Sequence, residues 1–195
     1  IKIVGKDKRV LDLGCANGHI AKTLTKQGNQ VTGVDTFKPS ANIRFQKFIK
    51  HDLNSNVFPV ELKGYDYVLM LDVIEHLLTP EEFVDQLRKA AQMSPNVRLL
   101  VSSGNVGFIV ARLMHMVGQF NYGKRGILDI THTRLFTFAT LRRLFEQGGF
   151  ELISTTGIPA PFPMVMGKSY LGAFLFNFNK VLIRIWRSAF SYQIF

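Results

Sequence analysis

An apolar run from Arg9 to Leu13 ends in the turn Gly14-Cys-Ala-Asn-Gly18, and helical periodicity resumes from Ile20 to Lys26. A turn of this kind marks the place where a buried strand hands over to a helix. Gly14 and Gly18 let the chain turn tightly and let a ligand approach main-chain N–H groups at a helix N-terminus. A second apolar strand, Gln30 to Val34, ends at Asp35, where a carboxylate can accept hydrogen bonds from both hydroxyls of a ribose. Two consecutive strand ends so equipped form the adenosine-reading corner of a doubly wound α/β fold.

Glycine spacing decides which adenosine cofactor fits. A dinucleotide fingerprint requires G-x-G-x-x-G/A, but Gly14, Ala16 and His19 occupy its three positions, and His19 does not suit the place where helix packs closely on strand. NAD is disfavoured. Asp12, Gly14, Ala16 and Gly18 instead resemble the D-x-G-x-G-x-G signature of class I S-adenosylmethionine-dependent methyltransferases, with Ala16 in place of the middle glycine. The resemblance continues in order over roughly residues 8–157. His51-Asp-Leu53 falls at that family's third strand end, and Tyr65 to Asp72 looks like its fourth strand. Val73-Ile-Glu-His-Leu77 resembles the small-molecule branch that includes ubiquinone-biosynthesis O-methyltransferases, as does the passage from His132 to Phe150.

The resemblance implies a doubly wound, Rossmann-like sheet of seven strands, mostly parallel with one antiparallel strand, and helices on both faces. It implies S-adenosylmethionine as methyl donor and S-adenosylhomocysteine as product. The cofactor site it implies begins with Asp12, Gly14, Cys15, Ala16, Asn17 and Gly18 at the first strand end. Asp35 and Thr36 follow at the second, Asp52 and Leu53 at the third, and Leu71 and Asp72 at the fourth.

Methyl transfer from a sulfonium needs alignment and desolvation more than activation. An oxygen acceptor must also lose a proton, and histidine suits that task near neutral pH. His132 and His76 are the candidate bases, with His132 favoured because a residue after the fifth strand can face the acceptor. Asp72, Glu75 and His76 also form D-x-x-E-H, which with His132 offers oxygen and nitrogen ligands to a divalent ion. A strand ending at Asp72 keeps Asp72 and His76 from sharing a helix face, so no metal is assigned.

The remaining elements are expected as strands at 46–51, 65–71, 97–102 and 150–156 and helices at 18–27, 80–93, 106–117 and 137–148. Thr79 is the expected N-cap of the helix opened by Pro80, and Gly148-Gly149 the expected stop after 148. Alternation of this kind predicts a parallel sheet within one domain, 1–195. Ser191 to Phe195 is expected as the antiparallel seventh strand. Residues 104–133 and 157–188 exceed the minimal alternation and are candidate acceptor lids. Phe108, Met114, Met116, Phe120, Tyr122, Phe162, Met164 and Met166 offer them an adaptable apolar surface, while Lys124, Arg125 and Lys168 can read an anionic group.

At 195 residues and 47% hydrophobic, the chain can bury a core and is not of a disordered class. Its one cysteine, Cys15, suits a reducing compartment. No apolar run approaches the roughly 20 residues of a membrane span and no secretory leader is visible, so a cytoplasmic setting is expected. The net charge of +10 points to an anionic partner. Zinc spacing, RNA-recognition aromatics and dense basic runs are missing, which argues against nucleic acid. From Phe174 to Phe190, Lys180, Arg184 and Arg187 recur at helical spacing beside Leu175, Phe178, Leu182, Ile185 and Trp186, a pattern suited to peripheral contact with the inner membrane surface. The acceptor expected from this composition is small, or linked to a lipid or glycan. The alternative is a non-catalytic module of the same fold that docks to a membrane or partner through this basic amphipathic helix.

Overall fold

The computed structural model describes residues 2–39, 43, 45–167 and 169–195; Lys168 lies outside the described residues. The chain forms two compact units, residues 1–101 and 102–195. Its strands follow the order β3-β2-β1-β4-β5-β7-β6 in one seven-stranded sheet, the doubly wound arrangement with an antiparallel strand that the resemblance implies.

In the first unit, β1 (Arg9–Leu13) lies between β2 (Gln30–Asp35) and β4 (Tyr67–Leu71), parallel to both, with Val10 opposite Val31 and Tyr67. Val10, Leu11, Asp12 and Leu13 are all buried, as a parallel strand covered on both faces requires. β3 (Lys47–Lys50) pairs in parallel outside β2, and its terminal lysines suit an edge strand. Helix α1 (His19–Lys26) buries Ala21 and Leu24, and α2 (Pro80–Ala91) buries Phe83, Val84 and Leu87. The core joins Val4, Val10, Ala21, Leu24, Val31, Tyr67 and Leu69.

Pro80 opens α2 with Glu81 and Glu82 in the first turn and Arg88 and Lys89 in the last, an order that complements the helix dipole. Thr79 holds the N-cap position but makes no side-chain cap bond to the backbone. Its hydroxyl donates instead to Glu82 Oε2 at 3.0 Å. The connection 36–46 between β2 and β3 contains no helix among its described residues. Phe45 and Ile43 from this connection pack over Gly18, and Phe45 also covers Gly33.

β5 (Arg98–Gly104) carries the chain into the second unit, which contains α3 (Ile109–Met116), α4 (Phe138–Gln147), β6 (Gly157–Ile158), α5 (Phe162–Val165), α6 (Tyr170–Ile185), α7 (Arg187–Phe190) and β7 (Gln193–Ile194). β7 runs antiparallel to both neighbours, with Ile194 opposite Ser103 and Gly157. Fully buried Asn105 ties this unit together. Its Nδ2 donates to the carbonyls of Ser188 and Ser191, and its Oδ1 accepts from Gly107 N. That turn delays α3, which starts at Ile109 rather than at 106.

Two further boundaries differ from expectation. The sixth strand forms at Gly157–Ile158 rather than over 150–156, where Leu152 and Ile153 point to solvent and only Thr156 reaches the β7 end, bonding Phe195 in both directions. The C-terminal helix spans Tyr170–Ile185 and breaks at Trp186, with φ −147° and ψ 79°, before α7. Phe108 and Phe162, expected on an acceptor-facing surface, pack with Ile127, Ala160 and Tyr192 in this unit's core. Among the described residues, no helix is long and apolar enough to cross a membrane.

Candidate cofactor cleft and catalytic residues

The turn after β1 is built by backbone conformations that favour glycine. Gly14 and Gly18 have φ of +67° and +69°, and Ala16 between them has +44°. At Gly14 space is also short, because a Cβ there would meet Val73 Cγ2 at 2.5 Å. The turn satisfies most of its own N–H groups: Gly14 and Cys15 donate to Val34 O, Gly18 to Cys15 O, and Ala16 to Asp35 Oδ2 at 2.8 Å. Asp35 Oδ1 accepts from Phe37 N and the Thr36 hydroxyl, so the carboxylate at the end of β2 is oriented from both sides.

The ends of β1 to β4 open on a cleft lined by Gly14, Asp35, Thr36, His51, Asp52, Leu53, Asn54, Asp72, Val73, His76 and Leu77. Ligands of open α/β sheets bind at this edge. Asp72 leaves β4 with φ +56°, a conformation uncommon outside glycine, and this bend brings Val73 over Gly14. His51 donates from Nε2 to Val57 O at 2.9 Å, Asn54 Oδ1 accepts from Leu78 N at 2.8 Å, and Gln86 on α2 donates to Ser55 O. These bonds tie the loop after β3 to the loop after β4 and to α2.

Of the residues expected to hold a cofactor, Gly14, Asp35, Thr36, Asp52, Leu53 and Asp72 meet on this cleft. Ala16 and Asn17 lie exposed on the adjoining turn, Gly18 is covered by Ile43 and Phe45, and Leu71 is half-buried at the end of β4. Asp12 and Cys15 lie beneath the turn, 3% and 7% exposed. Burial, reinforced by the nearby Asp35 charge, pushes the Asp12 carboxyl up to about 7. Burial and the charges of Asp12 and Asp35 push the Cys15 thiol up to about 12, which leaves it protonated and unreactive. The cleft wall also holds His51, Asn54, Val73 and Leu77; His51 and Val73 adjoin the ends of β3 and β4, which is the sequence signal for them, whereas Asn54 and Leu77 lie further along the loops.

Three carboxylates, Asp35, Asp52 and Asp72, line the cleft, with no Lys or Arg among the lining residues. Such a surface accepts hydrogen bonds and favours a ligand with hydroxyl and amine donors and positive charge. It offers no countercharge to a pyrophosphate. A sulfonium nucleoside carrying an amino group fits these residues.

Among the described residues, no three His, Cys, Asp or Glu side chains are grouped to hold a metal ion. Glu75 is buried while Asp72 and His76 are exposed, so the D-x-x-E-H residues do not share one surface. His76 lies in the single 3₁₀ turn Ile74–His76 and lines the cleft. His132 is in the second unit, half-buried, with Nδ1 2.9 Å from Ile127 O. A carbonyl only accepts, so Nδ1 carries the proton of the neutral ring and the lone pair is on Nε2.

A family model described as a methyltransferase domain matches residues 3–155, more than half of the chain. A ubiquinone biosynthesis O-methyltransferase of Coxiella burnetii is 28% identical over 167 residues, which cover 80% of this chain and 69% of that protein. The protein of the same name from Rickettsia typhi is 32% identical over 103 residues, 50% of this chain and 41% of that one. Among solved structures, a SAM-dependent methyltransferase from Archaeoglobus fulgidus shares the fold with a TM-score of 0.62 at 17% identity, over 98% of this chain and 85% of that one. Magnesium protoporphyrin IX methyltransferase from Synechocystis, crystallised with bound SAH, gives 0.56 at 21% identity over 77% and 67%. The chain belongs to the methyltransferase-domain family and is a class I S-adenosylmethionine-dependent methyltransferase.

Proposed function

We propose that this chain methylates an oxygen atom of a small acceptor, or of one linked to a lipid or glycan, at the cytoplasmic side of a membrane. The observation that carries the reading is the acidic, cation-free cleft at the ends of β1 to β4 with His76 in its wall. The O-methyltransferase relatives support oxygen as the acceptor atom.

S-adenosylmethionine supplies an already activated methyl group when bound. In this reading Asp35 accepts from the ribose hydroxyls, Asp52 from the adenine amine, and Asp72 from the amino group of the methionine moiety. Asp12, Cys15 and Gly18 support the turn from beneath without touching ligand. The segments 104–133 and 157–188 cover the acceptor, using exposed Met116, Phe120, Tyr122, Met164 and Met166 with Lys124 and Arg125 nearby in sequence. His132 takes the acceptor proton on Nε2, the atom its hydrogen bond to Ile127 leaves as the acceptor in the neutral ring. His76 is the second candidate for that proton.

The test is steady-state turnover alongside S-adenosylhomocysteine affinity. His132→Ala should lower kcat by about 10²–10⁴-fold while donor affinity stays unchanged. A His132→Ala enzyme of full rate removes His132 from the reaction, and a matching loss in His76→Ala then moves the base to the cleft wall. If neither variant slows turnover, histidine-assisted oxygen methylation is wrong.

A further inference from the structure

Helix α6 presents to solvent the residues a helix ordinarily buries. Tyr170, Phe174, Phe178, Val181 and Ile185 are all exposed, Tyr170 at 98% and Ile185 at 76%. Their spacing places them in one sector of roughly 80° on a helix of 3.6 residues per turn. Leu171 borders the stripe, and Trp186, just past the helix end, is also exposed. Phe174 and Phe178 stack with their rings 4° from parallel.

The opposite face is fixed by directional bonds. Asn179 is buried, its Oδ1 accepting from Ala160 N at 2.9 Å and its Nδ2 donating to Phe190 O at 3.0 Å. Rolling the helix to hide the stripe would break both bonds and strand a buried amide. The apolar face is therefore a fixed outward surface rather than a mispacked one.

Charge selects what covers it. Lys180 and Arg184 are exposed along one flank of the stripe, and residues 152–195 contain no Asp or Glu. A two-fold pairing of α6 with a second copy would face these cations with their own kind and offer no acid to neutralise them. An anionic bilayer matches both features, since aromatic side chains settle at the interface and basic ones at lipid phosphates. We propose that α6 lies flat on an anionic membrane surface. Phe174, Phe178, Val181 and Ile185 enter the acyl boundary, Tyr170 and Trp186 sit at headgroup level, and Lys180 and Arg184 meet phosphates. This deepens the membrane-side setting proposed above and rests on it for its biological use.

The experiment is co-sedimentation of the purified protein with vesicles of phosphatidylcholine alone or mixed equally with phosphatidylglycerol. The wild type should bind the mixed vesicles selectively and lose binding in high salt. Lys180→Gln with Arg184→Gln should lower partitioning roughly 25-fold, and Phe174→Ser with Phe178→Ser by at least about tenfold. S-adenosylhomocysteine affinity should be unchanged in both double variants, which reports an intact first unit. Failure to bind, equal binding to both vesicle types, or wild-type binding by either double variant overturns the proposal. So does a concentration-dependent dimer abolished by the Phe174 and Phe178 changes. Transfer of label from S-[methyl-³H]adenosylmethionine into a lipid extract reads the acceptor separately: vesicle binding without lipid labelling removes the lipid-linked acceptor and leaves this surface standing.

Discussion

At Asp12, burial and charge oppose one another. The carboxyl is 3% exposed, its Oδ2 has no hydrogen-bond partner among the described residues, and burial pushes its pKa up to about 7 from 3.8. Between about pH 4 and 7 the native chain keeps a proton that the unfolded chain releases, so Asp12 subtracts from stability as pH rises through that window. The full penalty above pH 7 is about 4 kcal/mol. Asp12→Asn, which never ionises, should therefore gain stability relative to wild type as pH goes from 4.5 to 8 in urea unfolding; parallel pH curves would show that Asp12 is not the buried acid described. The turn at Gly14 and the strand end at Asp35 were legible in the sequence because two apolar runs and a glycine-rich link set where the first two strands stop. The self-satisfied turn was not legible, because the bond from Ala16 N to Asp35 Oδ2 depends on how β1 and β2 register. The place of Asn54 on the cleft is hidden for a similar reason: it comes from a loop tied to Leu78 and α2, contacts between residues far apart in the chain.

Element boundaries were readable where local chemistry fixes them. Gly148 caps α4, and Gly149 follows with φ +83°, as the glycine pair indicates. The other end of α4 has a cap the sequence concealed. Thr137 and Thr140 form a reciprocal capping box, with Thr140 N donating to Thr137 Oγ1 at 3.2 Å and Thr137 N to Thr140 Oγ1 at 2.9 Å. A threonine in place of the usual Glu or Gln at the third position hides the signature. Thr137→Ala should cost about 1 kcal/mol in chemical denaturation, and an unchanged midpoint would count against the cap. The strand expected at 150–156 formed later because only its far end reaches β7. The long basic helix ends at Ile185 because the backbone of Trp186 leaves the helical region, at φ −147° and ψ 79°, a choice no periodicity records.

For the whole molecule, alternation of strand and helix predicts a parallel sheet but not the order of its strands. The resemblance implies seven strands with one antiparallel, while the order β3-β2-β1-β4-β5-β7-β6 is seen in the structure, since pairing partners lie dozens of residues apart. The order explains why the ends of four neighbouring strands supply one cleft. That cleft carries Asp35, Asp52 and Asp72 with no Lys or Arg among its lining residues, in a chain of net charge +10. Isothermal titration with S-adenosylhomocysteine, with NAD as control, tests this most directly. The wild type should bind the nucleoside and not NAD, and Asp35→Ala, confirmed folded by its melting curve, should bind it roughly 10 to 100-fold more weakly through loss of charged hydrogen bonds. Binding of NAD, or equal affinity in wild type and a folded Asp35→Ala variant, would contradict the account of the cleft.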